Sequence, residues 1–255
     1  MEVCALASGS SGNCFYVGNG KDGILIDAGI NAKQICERLN EIGKDTASVK
    51  AIFLTHEHID HVRGADVFAR KFNIPIFVTK GTAENCFVCS EENLVKIIKN
   101  NDCVNLLGMK IEAFSKFHHA ADPVSYNVYF QKKVSIVTDA GYGCKNIKKH
   151  VSDSDFLIME ANHDEKMLEN GPYPYFLKNL IKSDVGHLSN RQAALCVLEH
   201  SSKKLKNVVL AHLSKTNNNP ILALKTFNSI LKERIDVSPK IDLSIREEPT
   251  RLFRI

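Results

Sequence analysis

The stretch Thr55-His56-Glu57-His58-Ile59-Asp60-His61 sets three imidazoles and two carboxylates within seven residues, directly after the apolar run Ala51-Ile52-Phe53-Leu54. Donors this dense read as a metal site, because neutral imidazole and carboxylate are the ligands that borderline divalent cations such as zinc favour, at metal–nitrogen distances of about 2.0–2.1 Å. The apolar run reads as a short buried strand. In an extended exit from it, His56 and His58 point the same way and make a pair on one ion. Asp60 and His61 fall at the turn into a segment whose Val62, Ala65, Phe68 and Phe72 repeat at helical spacing. They face a neighbouring position, which suits a second ion.

A chain of 255 residues, 44% hydrophobic and 24% charged, can bury a sizeable core, and one domain over residues 1–255 is predicted. The formal charge of +4 permits an anionic partner without demanding one. Eight cysteines are scattered through a chain too large to need stapling, which predicts reduced thiols and a cytoplasmic protein. Cys86-x-x-Cys89 lacks a second pair or a nearby His and reads as packing. The first residues carry no basic leader, and no apolar run approaches the roughly 20 residues of a membrane span.

Along the chain, residues 3–7 and 14–17 read as a hairpin around Ser8-Gly9-Ser10-Ser11-Gly12-Asn13, a loop able to offer N–H groups to a phosphate but lacking a P-loop ending. Ser10 and Asn13 are its candidate substrate contacts. Residues 24–27 follow as a strand, then a helix capped by Asn31 and stopped at Gly43. Residues 75–79 read as a strand and 81–101 as mostly helical. Strands are predicted at 110–114, 125–130, 134–138, 156–159, 207–210, 241–245 and 251–255, with helices over 191–199 and after Pro220. Strand clusters interrupted by helices in this order suit an α/β class with mixed sheets.

The pattern H-x-H-x-D-H after a buried strand resembles the metal signature of the metallo-β-lactamase superfamily. That resemblance implies an αββα sandwich of two mixed sheets flanked by helices, and a hydrolase with two divalent ions. Zinc is expected, with manganese or iron as alternatives. It requires a further His, a bridging carboxylate and a late His; His118, Asp139 and His212 arrive in that order, each at a predicted strand end. By resemblance, His56, His58 and His118 hold one ion, Asp60, His61 and His212 the other, and Asp139 bridges. Two ions about 3.5–4 Å apart would share a bridging hydroxide, which Asp60 would orient as well as ligate.

Over nearly its full length the chain is most similar to the WalJ/YycJ/VicX group, regarded as 5′-to-3′ exonucleases on double-stranded DNA. Beside the Gly/Ser loop and residues 55–61, the resemblance rests on Ala120-Ala121-Asp122-Pro123-Val124, Thr138-Asp139, Glu160-Ala161-Asn162-His163-Asp164, Gly186-His187-Leu188-Ser189-Asn190 and His212-Leu213-Ser214. One departure is His119, where the pattern has Asp; His118 is taken as the ligand from its place in the pattern. The implied partner is nucleic acid, duplex DNA in particular, with no membrane and no obligate protein partner evident.

The metal motif serves lactams, thioesters, lactones and phosphodiesters alike, so other residues must choose the substrate. Glu160 ends a predicted strand, and His187 precedes a helix for which Ser189 and Gln192 form a capping box, a favourable place for an anion. The arrangement resembles the Glu–His pair of ribonuclease Z relatives, which assists the departing oxygen. A sugar alkoxide leaves poorly, so a positioned proton donor helps. Asp60, Glu160 and His187 are therefore the catalytic candidates. His163 either positions substrate or fastens a loop, and Ser189 completes the candidate substrate contacts. The rival readings are a small-molecule binuclear hydrolase (cyclic phosphodiesterase, lactone or thioester hydrolase) and a metal-stabilised binding module.

Overall fold

The computed structural model describes residues 1–255. In chain order it contains β1 (Glu2–Ala7), β2 (Cys14–Gly18), β3 (Gly23–Ile26), α1 (Ala32–Glu41), β4 (Val49–Phe53), α2 (Ile59–Val62), α3 (Ala65–Phe72), β5 (Ile76–Thr79), α4 (Lys80–Asn85), β6 (Val95–Ile98), β7 (Cys103–Leu106), β8 (Met109–Ser115) and β9 (Val124–Phe130). There follow β10 (Lys132–Val137), α5 (Lys145–Ser152), β11 (Phe156–Glu160), α6 (Glu165–Asn170), α7 (Tyr175–Lys182), α8 (Asn190–His200), β12 (Asn207–Ala211), α9 (Pro220–Leu231), β13 (Lys240–Leu243) and β14 (Phe253–Arg254). The strands form two mixed sheets flanked by helices, ordered β14-β1-β2-β3-β4-β5-β6 and β13-β12-β11-β10-β9-β8-β7. No helix is long and apolar enough to cross a membrane.

The chain divides into two compact units, Met1–Ser115 with Ala120–Gln131 and Ile245–Ile255, and Lys116–His119 with Lys132–Ser244. In the first unit, β14, β1, β2 and β3 pair antiparallel, and β3 to β6 run parallel. Every residue of β1, β2 and β3 is buried, which is why these strands read as continuous apolar runs instead of alternating ones. Asn31 caps α1 through the backbone N–H of Gln34, and Gly43 ends the helical run at φ +72°, as its sequence position implies. In the second unit, β10 to β13 are all parallel. There β11 and β12 are almost wholly buried. The capping box of Ser189 and Gln192 starts α8.

Two local expectations are corrected. Residues 81–101 form a single short helix, α4, and then strand β6. Val95-Lys96-Ile97-Ile98 is β-branched at three positions and pairs in register with Ile76 to Thr79, so sheet pairing outweighs the helical reading. Asp60 and His61, expected at the turn into a helical segment, lie inside the short helix α2, with α3 following it. Gly64 separates the two helices and donates its N–H to Ala28 O at 2.7 Å, where a Cβ would stand 2.1 Å from Ile30 O. All eight cysteines are free thiols. Cys89 is buried and Cys86 half-buried, with its Sγ–H donated to Thr82 O.

Candidate active site

Within each unit the polar residues gather at the carboxyl ends of parallel strands, the edge where open α/β sheets present chemistry. In the first unit Asp27 follows β3, and Thr55 and His56 follow β4. In the second, Asp139 follows β10, Glu160 ends β11 and His212 follows β12. Asp27, Asp139 and His212 all sit in the left-handed region, at φ +61°, +54° and +55°. Non-glycine residues pay about 1–2 kcal/mol for that conformation, so the fold holds strain at three strand ends where side chains must turn out of the sheet.

Asp27 organises the first unit's donors. Its Oδ1 accepts from Thr55 N–H (2.8 Å), and its Oδ2 accepts from Thr55 Oγ–H (2.9 Å) and His61 Nδ1–H (2.7 Å). The Thr55 hydroxyl hydrogen being spent on Asp27, its oxygen accepts from His56 Nδ1–H at 2.9 Å. Both imidazoles thereby carry hydrogen on Nδ1 and a lone pair on Nε2. Asn13 agrees with that tautomer, since its amide donates to His61 Nε2 at 3.1 Å and to Asp60 Oδ2 at 3.2 Å. His56 Nε2 and His58 Nδ1 stand 3.0 Å apart. Two nitrogens on one tetrahedral ion are separated by about 3.3 Å, so this spacing suits a shared metal. Glu57 turns away from the donors, its Oε1 accepting from Ala121 N–H at 2.7 Å.

Gly29 permits this packing. A Cβ there would lie 1.7 Å from Asp60 O and 2.7 Å from Asn13 N. Gly29→Ala is expected to cost about 1–3 kcal/mol and to displace Asp60, seen as a lowered denaturation midpoint with weakened metal retention.

Glu160 has the same part in the second unit. Fully buried, its Oε1 accepts from His187 Nδ1–H (2.8 Å) and His212 Nδ1–H (2.9 Å), and its Oε2 from the N–H groups of Ala140 (2.9 Å) and Leu188 (3.1 Å). Burial pushes the Glu160 carboxyl up, but the charge of His187 and the bonds from His187 and His212 outweigh it and bring it down to about 2. Asp139 Oδ1 lies 3.4 Å from His212 Nδ1 and 3.8 Å from His187 Nδ1. Donor atoms of Asp139, Glu160, His187 and His212 all fall within 4.8 Å of one another. His118 is buried and donates Nδ1–H to Gly186 O at 3.1 Å, whereas its neighbour His119 is exposed. Burial drives the His118 imidazole down to about 3 against the pull of Asp139, leaving it neutral with Nε2 as a lone pair.

The remaining candidates divide. Asn13 is buried at the base of the first unit's donors, and Ser10 is exposed at the loop tip. The loop's N–H groups at Gly9, Gly12 and Asn13 are spent on Asn13 Oδ1, Gly9 O and Asp60 O. The Ser189 hydroxyl accepts from Gln192 N–H and donates to Glu165 Oε1, so it is engaged in structure. His163 is buried, and its backbone bridges Ser189. Sequence reasoning missed Asp27, Thr55 and the Gly186 carbonyl. The one signal for Asp27 was a carboxylate ending the apolar strand Ile24-Leu25-Ile26.

Burial holds the His163 imidazole down to about 4, with Glu160 pulling it up and His187 pushing it down. The unfolded chain therefore takes up this proton near pH 6.5 and the folded chain only near pH 4. Stability present above pH 6.5 is lost as pH falls across that window, by about 2 kcal/mol at pH 5. Denaturant titrations at pH 7 and pH 5 should show this loss in wild type and a smaller one in His163→Gln; equal losses would contradict it.

The same fold occurs in YhfI from Bacillus subtilis, a metallo-beta-lactamase fold protein, with a TM-score of 0.74 at 13% identity over 98% of each chain. The metallo-beta-lactamase superfamily model matches residues 7–102. Exodeoxyribonuclease YycJ of Bacillus anthracis is 34% identical over 238 residues, covering 92% of this chain and 90% of its own. Exodeoxyribonuclease WalJ of Streptococcus pneumoniae serotype 2 is 35% identical over 251 residues, covering 96% and 93%. The chain belongs to the WalJ/YycJ family of the metallo-β-lactamase superfamily. As a WalJ/YycJ family member it is a metal-dependent hydrolase. Its residues fit divalent ions on their own chemistry. His56, His61, His118 and His212 each have Nδ1 held by a hydroxyl, carboxylate or carbonyl oxygen, the outer contact that aims Nε2 of a metal-binding imidazole.

Proposed function

We propose that this WalJ/YycJ family member is a metal-dependent exonuclease that degrades double-stranded DNA from 5′ to 3′, its two units working as one catalytic domain. Supporting the hydrolysis of a phosphodiester in particular is the Glu160–His187 pair, at 2.8 Å. The ligand assignment is His56, His58 and His118 for one ion and Asp60, His61 and His212 for the other, with Asp139 bridging. It is supported by the tautomers within each unit and by the family's ligand order along the chain. Divalent ions bound by these residues supply Lewis-acid activation of water and of the phosphoryl oxygens.

The chain's own residues do the rest. Asp27, Thr55 and Glu160 fix the donors in place, so little reorganisation is needed at the moment of reaction. Asp60 orients the attacking water. With Nδ1–H held by Glu160, the His187 Nε2 proton is the one delivered to the departing sugar oxygen. Glu160, anionic in the folded protein, stabilises the imidazolium that does so. For the polymer, α5 presents Lys145, Lys148 and Lys149 to solvent, and α7 presents Tyr175 and Phe176, which are 78% and 73% exposed. Basic and aromatic groups of this kind bind phosphates and stack on unpaired bases. The relatives' names carry the DNA part of the reading.

The test is digestion of duplex DNA labelled at the 5′ or the 3′ end, after chelation and after return of zinc or manganese. Mononucleotides released at once from the 5′ label, late from the 3′ label, and not at all in chelator are expected. Hydrolysis of a bis-aryl phosphodiester without any DNA degradation would move the protein to the small-molecule hydrolases.

A further inference from the structure

We propose that a pocket of about 440 Å³ in the second unit receives the nucleoside of the nucleotide released at each cut, an inference that rests on the nuclease reading above. His163, Ser189, residues of α6 and Lys182 at the end of α7 line it. Backbone hydrogen bonds tie its wall to the segments that carry the acid pair. Asn162 N–H donates to Leu188 O (3.0 Å), Asn190 N–H donates to His163 O (2.8 Å), and His163 bridges Ser189, so the segments carrying Glu160 and His187 also carry the pocket.

The reaction determines what stands on that side. Water adds to phosphorus and gives up one proton to solvent, the P–O3′ bond breaks, and its electron pair stays on O3′, which takes the proton from His187 Nε2; a solvent proton then restores His187. In 5′-to-3′ digestion that oxygen belongs to the departing terminal nucleotide. The group beside His187 is therefore a single nucleotide, and the remaining chain keeps the new 5′-phosphate.

The lining suits the base and sugar better than a second phosphate. Lys166 and Lys182 are balanced by Glu165 and Glu169, and burial keeps His163 neutral. Glu165 is set by the Ser189 hydroxyl at 3.0 Å and Glu169 by Lys182 at 2.9 Å, which fixes donors and acceptors together, as the polar edge of a nucleobase needs. The pocket's volume lies near the lower end of the range of small-molecule sites, about 300–1,000 Å³, and admits a nucleoside.

The experiment compares removal of the first residue from 5′-phosphorylated duplexes ending in a natural nucleotide or in a tetrahydrofuran abasic residue. Wild type and the double variant Glu169→Ala/Lys182→Ala are assayed alongside bis-aryl phosphodiester hydrolysis. Wild type should remove the natural residue at least about tenfold faster, and the variant should bring the ratio close to one through KM. A wild-type ratio near one, or a ratio unchanged in the variant, overturns the pocket while bis-aryl and DNA hydrolysis uphold the nuclease reading. Hydrolysis of neither substrate overturns that reading and the pocket with it.

Discussion

His187→Ala is expected to slow removal of nucleotides from duplex DNA by about 10²–10⁴-fold at unchanged metal content, the usual contribution of a positioned general acid. The Glu160 bond to His187 Nδ1 leaves only Nε2 to reach a substrate, and the His187 side chain keeps 21% of its surface exposed while Glu160 has none. A proton donor matters in proportion to how poorly the leaving group departs. The same variant should therefore lose less than about tenfold on a bis-aryl phosphodiester, whose phenolate leaves without a proton. Equal losses on both substrates would assign His187 to structure or metal binding instead. Glu160→Ala should behave differently, because His212 Nδ1 rests on the same carboxylate oxygen as His187. It should lose metal as well as rate.

Asp27→Asn is expected to weaken metal binding by about 10–100-fold while changing size by almost nothing. Thr55 N–H pins Oδ1, so the new amide nitrogen replaces Oδ2, which faces His61 Nδ1 at 2.7 Å and the Thr55 hydroxyl. An amide N–H there can only donate. His61 then carries its hydrogen on Nε2 and has no lone pair for an ion, and the relay through Thr55 to His56 reverses likewise. Asp27→Ala should lose metal and also stability, by about 3 kcal/mol or more, since three buried donors are left without an acceptor. Metal titration monitored by competition with a chromophoric chelator measures the first effect, and chemical denaturation the second. Wild-type affinity in Asp27→Asn would show that tautomer control has no part in binding.

Much of this was legible in the sequence because local rules and global fold agree. The spacing of His56, His58 and His61 after an apolar strand survives as adjacent rings, with the His56 centroid 4.6 Å from that of His58 and 4.1 Å from that of His61. The capping box of Ser189 and Gln192 placed His187 correctly before α8, and the Glu160–His187 pair joins residues 27 positions apart. What escaped was decided by tertiary contacts. Asp27 looks like any carboxylate at a strand end until β3 and β4 pair and bring Thr55 onto it. Residues 95–98 are β-branched at three of four positions, but a run this short is decided only by its pairing with β5. The Ser189 hydroxyl, expected to meet substrate, is also engaged by Gln192 and Glu165, and the Glu165 contact is made only in the folded chain. The choice of His118 over His119 rested on pattern; in the fold His118 is buried with Nδ1–H on the Gly186 carbonyl, and His119 is exposed.

The most direct measurement is the number of divalent ions bound per chain by elemental analysis, in wild type, His58→Ala and His212→Ala, with phosphodiester hydrolysis measured on the same samples. Two ions per wild-type chain, fewer in each variant, and hydrolysis that falls with them are the expected results. Full hydrolysis by a wild-type chain stripped of metal, or variants that keep both ions, would contradict the account.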